Sequence, residues 1–169
     1  MQPMIKRVQP QDYAFVLALN ERNVEFLVPM DAAQLAFFAK TAKVFDVLYA
    51  DGAPAAFLIA LQGRGVDYDL CAYRWFADRY ESFLYIDRVV VDEKRRGMGY
   101  ARKLYRRVLD HAKEEGIGVV AAAIETIPYN EPSHRFHQKM GFYEVGEQTI
   151  RGGTVKVSFQ IADVPKRMG

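Results

Sequence analysis

The stretch that most constrains this chain lies between an apolar run, Phe83 to Val91, and a segment from about Tyr100 to Glu115. In the latter, Ala101, Leu104, Val108, Leu109 and Ala112 recur at the spacing of one helix face. Joining them is Asp92-Glu93-Lys94-Arg95-Arg96-Gly97-Met98-Gly99. Two glycines just before a helix N-terminus let backbone approach a ligand closely. The free N–H groups of the first helical turn, the positive end of the helix dipole and the neighbouring arginines all favour an anion, and a pyrophosphate is the natural fit. The bland reading of Gly97 and Gly99 is a tight strand-to-helix turn.

Two other phosphate-binding loops fail against the letters. A P-loop needs Gly-Lys-Ser/Thr, but Gly99 is followed by Tyr-Ala-Arg-Lys. The dinucleotide fingerprint needs a third glycine where Arg102 stands.

The rest reads as one mixed α/β domain over residues 1–169. A short strand at Ile5–Val8 precedes a helix opened by Pro10-Gln11-Asp12. A second helix is capped by Asp31, and Val44–Tyr49 and Ala55–Leu61 flank an Asp51-Gly52 hairpin turn. Residues 63–82 mix Tyr68, Tyr73, Trp75, Phe76 and Tyr80 with Asp67, Asp69, Asp78 and Glu81, and no period is evident. The apolar run Val119–Ile124 suits a parallel strand covered on both faces, so that strand, helix and strand make a right-handed crossover. A helix from Pro132 to Met140 ends at Gly141, and Phe142–Glu147 pairs with Val155–Ile161 around Gly152-Gly153.

A net charge of +2 is too small to imply a nucleic-acid or membrane partner. The single cysteine, Cys71, excludes an internal disulfide and gives no zinc-site spacing, so no metal is expected. Without an apolar signal core or an apolar run of about 18 residues, the expected location is the cytoplasm.

Arg96-Gly97-Met98-Gly99-Tyr100-Ala101, preceded by Val89-Val90-Val91-Asp92, resembles the Arg/Gln-x-x-Gly-x-Gly/Ala signature of GNAT acetyltransferases. A second block begins 31 positions after Gly99: Asn130-Glu131-Pro132-Ser133-His134-Arg135-Phe136-His137, then Gly141-Phe142. It is similar to that family's Asn-x-x-Ala/Ser-x-x-Phe-Tyr/His helix, in the form carried by small-amine, phosphinothricin-type enzymes. The resemblance covers residues 83–161 well and the N-terminal third only by its order of elements.

The resemblance implies the GNAT fold: a mixed, mostly antiparallel sheet with a parallel strand pair splayed for acetyl-CoA, flanked by about four helices. It implies an acyl-CoA-dependent N-acyltransferase that moves acetyl from acetyl-CoA to a primary amine of a small molecule, by direct attack in a ternary complex. The cosubstrate would lie between strands 83–91 and 119–124. The backbone amides of Arg96, Gly97, Met98, Gly99, Tyr100 and Ala101 would hold the pyrophosphate, and Val89 and Val91 would pair with pantetheine. Arg95, Arg96 and Arg102 are the side chains expected to touch the ligand, out of a basic cluster that also includes Lys94, Lys103, Arg106 and Arg107. Asn130 and Ser133 match pantetheine-contacting positions and are equally ordinary helix caps.

His137 stands where many members carry a tyrosine that protonates the departing thiolate, and an imidazolium can do the same near neutral pH. It can also be a packed histidine beside Phe136. Attack requires a neutral amine, hence a base: Asp87, which shares a strand face with Val89 and Val91, or Glu125, at the carboxyl end of the next strand. Either acid can instead serve only to pair with Arg88 or another cation. Open alternatives are a non-catalytic acyl-CoA-binding module, a protein N-terminal or lysine acetyltransferase, and, for assembly, a monomer or a homodimer.

Overall fold

The computed structural model describes residues 2–24, 27–127 and 131–165. The chain divides into two compact units, Met1–Leu61 with Ile86–Val108, and Gln62–Tyr85 with Leu109–Gly169.

In the first unit, strand β1 (Met4–Arg7) pairs antiparallel with β2 (Val44–Ala50), and β2 with β3 (Ala53–Gln62). The β2–β3 turn has both central residues left-handed, Asp51 at φ 53° and Gly52 at φ 80°. That conformation matches the twist of the flanking strands, and Asp-Gly supplies it at low steric cost. Val47, Leu48 and every residue of Ala55–Leu61 are buried, so β3 is covered on both faces, as its unbroken apolar run requires.

Helix α1 (Tyr13–Arg22) follows a short 3-10 turn at Pro10–Asp12 and buries Val16 and Leu19. Helix α2 (Ala32–Thr41) starts at Asp31, whose carboxylate accepts the Gln34 N–H at 2.8 Å while the Gln34 side chain accepts the Asp31 N–H at 2.9 Å. Such a reciprocal cap contributes about 1 kcal/mol. It fixes where α2 starts, so that Leu35 and Phe38 face the core.

In the second unit, helix α3 (Cys71–Ala77) occupies the aromatic segment that showed no evident period. Strand β5 (Val119–Ile127) pairs antiparallel with β7 (Val155–Asp163), and β7 with β6 (Tyr143–Ile150), in the order β5-β7-β6. Helix α5 (Glu131–Lys139) precedes β6. Strand β4 (Leu84–Val91) and helix α4 (Tyr100–Glu115) each have residues in both units. With seven strands and five α-helices among the described residues the α/β reading of the sequence holds, and α3 is the helix it did not foresee.

Candidate functional site

The loop from β4 to α4 is built to leave donors open. Its entry is fixed by the Asp92 N–H, which donates to the Ala55 carbonyl at 2.9 Å, and by the Asp92 carboxylate, which accepts the Lys94 N–H at 3.1 Å. Arg96 is extended, and Gly97 and Gly99 then take φ of 80° and 78°. A Cβ added at either glycine would meet nothing within 4 Å, so what demands glycine there is the left-handed backbone rather than crowding inside the chain.

The Lys103 N–H donates to the Gly99 carbonyl at 3.1 Å, which makes Gly99 the residue that caps α4. The N–H groups of Tyr100, Ala101 and Arg102 therefore belong to the first turn, where no intrahelical acceptor exists. Residues 96–99 are exposed, Met98 to 53%, while Tyr100 is buried and pins the helix start to the core. The outcome is a solvent-facing patch of amide donors at the positive end of a 16-residue helix.

The arginines around this patch have different partners. The Arg96 Nη2 donates to Asn23 Oδ1 at 3.3 Å, and the Arg95 Nη1 pairs with the Asp51 carboxylate at 3.1 Å. Arg22, at the end of α1, reaches Asp92 at 3.7 Å and Glu93 at 3.5 Å. Arg107 turns away from the expected basic cluster. Its Nε sits 3.1 Å from the carboxylate of Asp46, a side chain only 9% exposed, which makes this pair an anchor of α4 on β2. Asn23, Arg22 and Asp51 carry no sequence signal of this role because they lie 44 to 73 residues from their partners and only the fold brings them close.

Along β4 burial alternates, with Asp87, Val89 and Val91 half-buried and Arg88 and Val90 buried, as expected for residues that share a face. The Asp87 carboxylate is itself 1% exposed and lies 2.6 Å from the Arg88 Nε, so what is accessible at this position is backbone. Arg88, 3% exposed, also donates through Nη1 to Asn20 Oδ1 at 2.8 Å and to the Val28 carbonyl at 2.9 Å.

Glu125 is half-buried near the end of β5, where the register with β7 shifts between Glu125 and Ile127. His137, on α5, is 6% exposed. It packs edge-on to Phe136 and Phe142, each at 5.2 Å, and Nδ1 lies 2.8 Å from the Ser133 carbonyl. A carbonyl only accepts, so Nδ1 carries the hydrogen. Burial pulls the His137 pKa down to about 4, more than the Ser133 carbonyl raises it. At neutral pH it is an uncharged imidazole. The Ser133 hydroxyl is 3.4 Å from the same nitrogen. Asn130 lies outside the described residues.

Helix α3 forms one wall of a cleft of about 340 Å³ lined by Asp69, Cys71, Arg74, Trp75, Asp78, Arg79 and Gln148. The Arg79 guanidinium stands 4.0 Å over the Trp75 ring, and Arg74 pairs with Asp69 at 2.9 Å. Among the described residues there is no cluster of three or more metal-ligating side chains and no helix long and apolar enough to cross a membrane.

The acetyltransferase (GNAT) family matches residues 13–142, and the chain belongs to that family of acyl-CoA-dependent N-acetyltransferases. No curated protein sequence matches it. Solved structures share its fold over nearly the whole length. Ard1 from Thermoplasma volcanium superposes with a TM-score of 0.78 at 16% identity, covering 98% of this chain and 100% of that one. The ribosomal-protein-S18-alanine N-acetyltransferase of Escherichia coli gives 0.70 at 13%, with 99% and 97% covered. A provisionally assigned phosphinothricin N-acetyltransferase gives 0.71 at 19%, with 98% and 100% covered. The GNAT fold expected from the two sequence blocks is therefore present.

Proposed function

We propose that the whole chain acts as one catalytic domain, in the cytoplasm, that transfers acetyl from acetyl-CoA to a primary amine of a small molecule by direct attack in a ternary complex. The observation that carries this reading is the pair of left-handed glycines, Gly97 and Gly99, opening the amide-rich N-terminus of α4 to solvent. In this reading the amides of residues 96–101 hold the pyrophosphate and Arg96 adds a charge-assisted bond. Val89 and Val91 offer their backbone to pantetheine, with Asn130 and Ser133 as its further contacts.

The chemistry needs the acceptor nitrogen's lone pair. An alkylamine with a pKa near 10.4 is almost wholly protonated at pH 7, so a base must take its proton before attack on the thioester carbonyl. We assign that role to Glu125, directly or through a water, in preference to Asp87. A carboxylate buried to 1% exposure and held by Arg88 at 2.6 Å is committed to the ion pair, whereas Glu125 is half-buried at a strand end. After attack the C–S bond breaks and the thiolate takes a proton. A neutral His137 with Nδ1–H given to the Ser133 carbonyl holds no imidazolium proton to deliver, which favours water as the donor.

The α3 cleft sets Asp69 and Asp78 against Arg74 and Arg79, and Arg79 already covers the Trp75 ring, so its lining selects no acceptor charge; the small-amine acceptor is supported by the resemblance of residues 130–142. The test is thiol release from acetyl-CoA across a panel of amino acids, polyamines, aminoglycosides and N-terminal peptides. Turnover of a small amine, lost in Glu125→Gln, supports the reading. Turnover of peptides alone overturns the acceptor class, and acetyl-CoA binding without turnover of any acceptor leaves a non-catalytic acyl-CoA module.

A further inference from the structure

The end of α1 docks on the glycine turn through one side chain whose orientation is fully determined. Asn23 closes α1: its Nδ2 donates to the Leu19 carbonyl at 2.9 Å, satisfying one of the helix's last acceptors. With the amide nitrogen spent on Leu19, the amide oxygen is the atom left to face the turn, and it accepts Arg96 Nη2 at 3.3 Å. One residue earlier, Arg22 grips Asp92 and Glu93, the segment that leads into the turn, at 3.7 and 3.5 Å. Two successive residues thus hold both sides of the turn's entry against α1.

The chemistry of the two arginine partners differs in a way that matters for an anion. Arg95 is tied to a carboxylate, Asp51, which cancels much of its field. Arg96 is tied to a neutral amide, which restricts the guanidinium without opposing its charge. A cation that is oriented but not neutralised loses less side-chain entropy on meeting a phosphate and keeps its full attraction.

We propose that Asn23 is a positioning residue for cosubstrate binding, acting through Arg96. This inference rests on the reading of the 96–101 turn as a pyrophosphate cradle. Asn23 and Arg96 are 73 positions apart, and Asn23 belongs to neither sequence block of the family resemblance.

The test is calorimetric titration of the full chain with acetyl-CoA, for wild type, Asn23→Ala, Arg96→Ala and the double variant, each at two salt concentrations. Asn23→Ala should weaken binding by about threefold to tenfold, as expected for losing one oriented polar contact. Arg96→Ala should weaken it more and flatten the salt dependence. In the Arg96→Ala background Asn23→Ala should have no further effect, because its partner is gone.

Asn23→Asp loses the same cap to Leu19 as Asn23→Ala, so the difference in affinity between these two variants reads the charge placed on Arg96 rather than the cap. It puts an anion on Arg96 and removes the donor to Leu19, so it should bind more weakly than Asn23→Ala. Wild-type affinity in either single variant, or an equal loss with and without Arg96, overturns the inference while leaving the cradle intact. Absence of wild-type binding overturns the cradle itself.

Discussion

The Trp75 indole lies flat against Gly146, so close that a Cβ built on Gly146 would sit 2.4 Å from Cζ2 and 2.8 Å from Cη2. Gly146 is the cross-strand partner of Phe159, and the indole stacks on that phenyl ring at 4.3 Å with an interplanar angle of 19°. One side chain of α3 thereby covers both members of a β6–β7 pair. An aromatic ring laid over a strand glycine restores the apolar contact that the glycine lacks.

Gly146→Ala should therefore destabilise the protein by about 1–3 kcal/mol, the cost of overpacking against a rigid ring. For a chain of this size that lowers Tm by roughly 2–4 °C per kcal/mol. Adding Trp75→Leu should return part of the loss, because the clash is with the ring. Differential scanning calorimetry of the two single variants and the double variant checks both statements, and a Gly146→Ala protein as stable as wild type contradicts them.

Helix α3 is the element least legible in the sequence. Tyr73, Phe76 and Tyr80 follow the i, i+3, i+7 spacing of a helix face, and Tyr73 and Phe76 are buried, so a signal was present. It was hidden by the other aromatics and acids and by a helix of only seven residues. By contrast, the Asp31 cap, the Asp51-Gly52 hairpin and the α4 stripe were legible because each is set by neighbours a few residues apart. The turn at Gly97 and Gly99 was legible for the same reason. What holds Arg96, Arg95 and Arg107 was not, since Asn23, Asp51 and Asp46 are brought to them by the fold alone.

Arg107 and Arg96 should separate cleanly in experiment. Arg107→Ala leaves the Asp46 carboxylate, 9% exposed, without its cation, and should cost about 1–3 kcal/mol of stability. Acetyl-CoA affinity should be nearly unchanged. Arg96→Ala should do the reverse, weakening acetyl-CoA binding at little cost in Tm, because its guanidinium is at the exposed turn. Urea melts and titrations of the two variants test the contrast.

His137 sets a pH dependence of stability. Its pKa is about 4 in the folded chain and about 6.5 unfolded, so between these values the unfolded state binds more protons. The stability from keeping this imidazole neutral is complete above about pH 6.5 and is lost as pH falls toward 4. The loss is on the order of 2–3 kcal/mol. His137→Gln should flatten the stability profile between pH 4 and 6.5 relative to wild type, read by urea melts across that range. An unchanged profile would contradict the burial argument.

The most direct test of the central claim is thermal unfolding with and without acetyl-CoA, for wild type and Gly99→Glu. Glutamate at a backbone φ of 78° is strained and places a carboxylate beside the α4 amides, where it competes with phosphate. At 100 times its dissociation constant a ligand specific for the folded state adds about 2.7 kcal/mol, which for wild type is a Tm rise of several degrees. The account predicts that rise in wild type and its absence in Gly99→Glu. No rise in wild type at saturating acetyl-CoA, or an equal rise in both proteins, would contradict it.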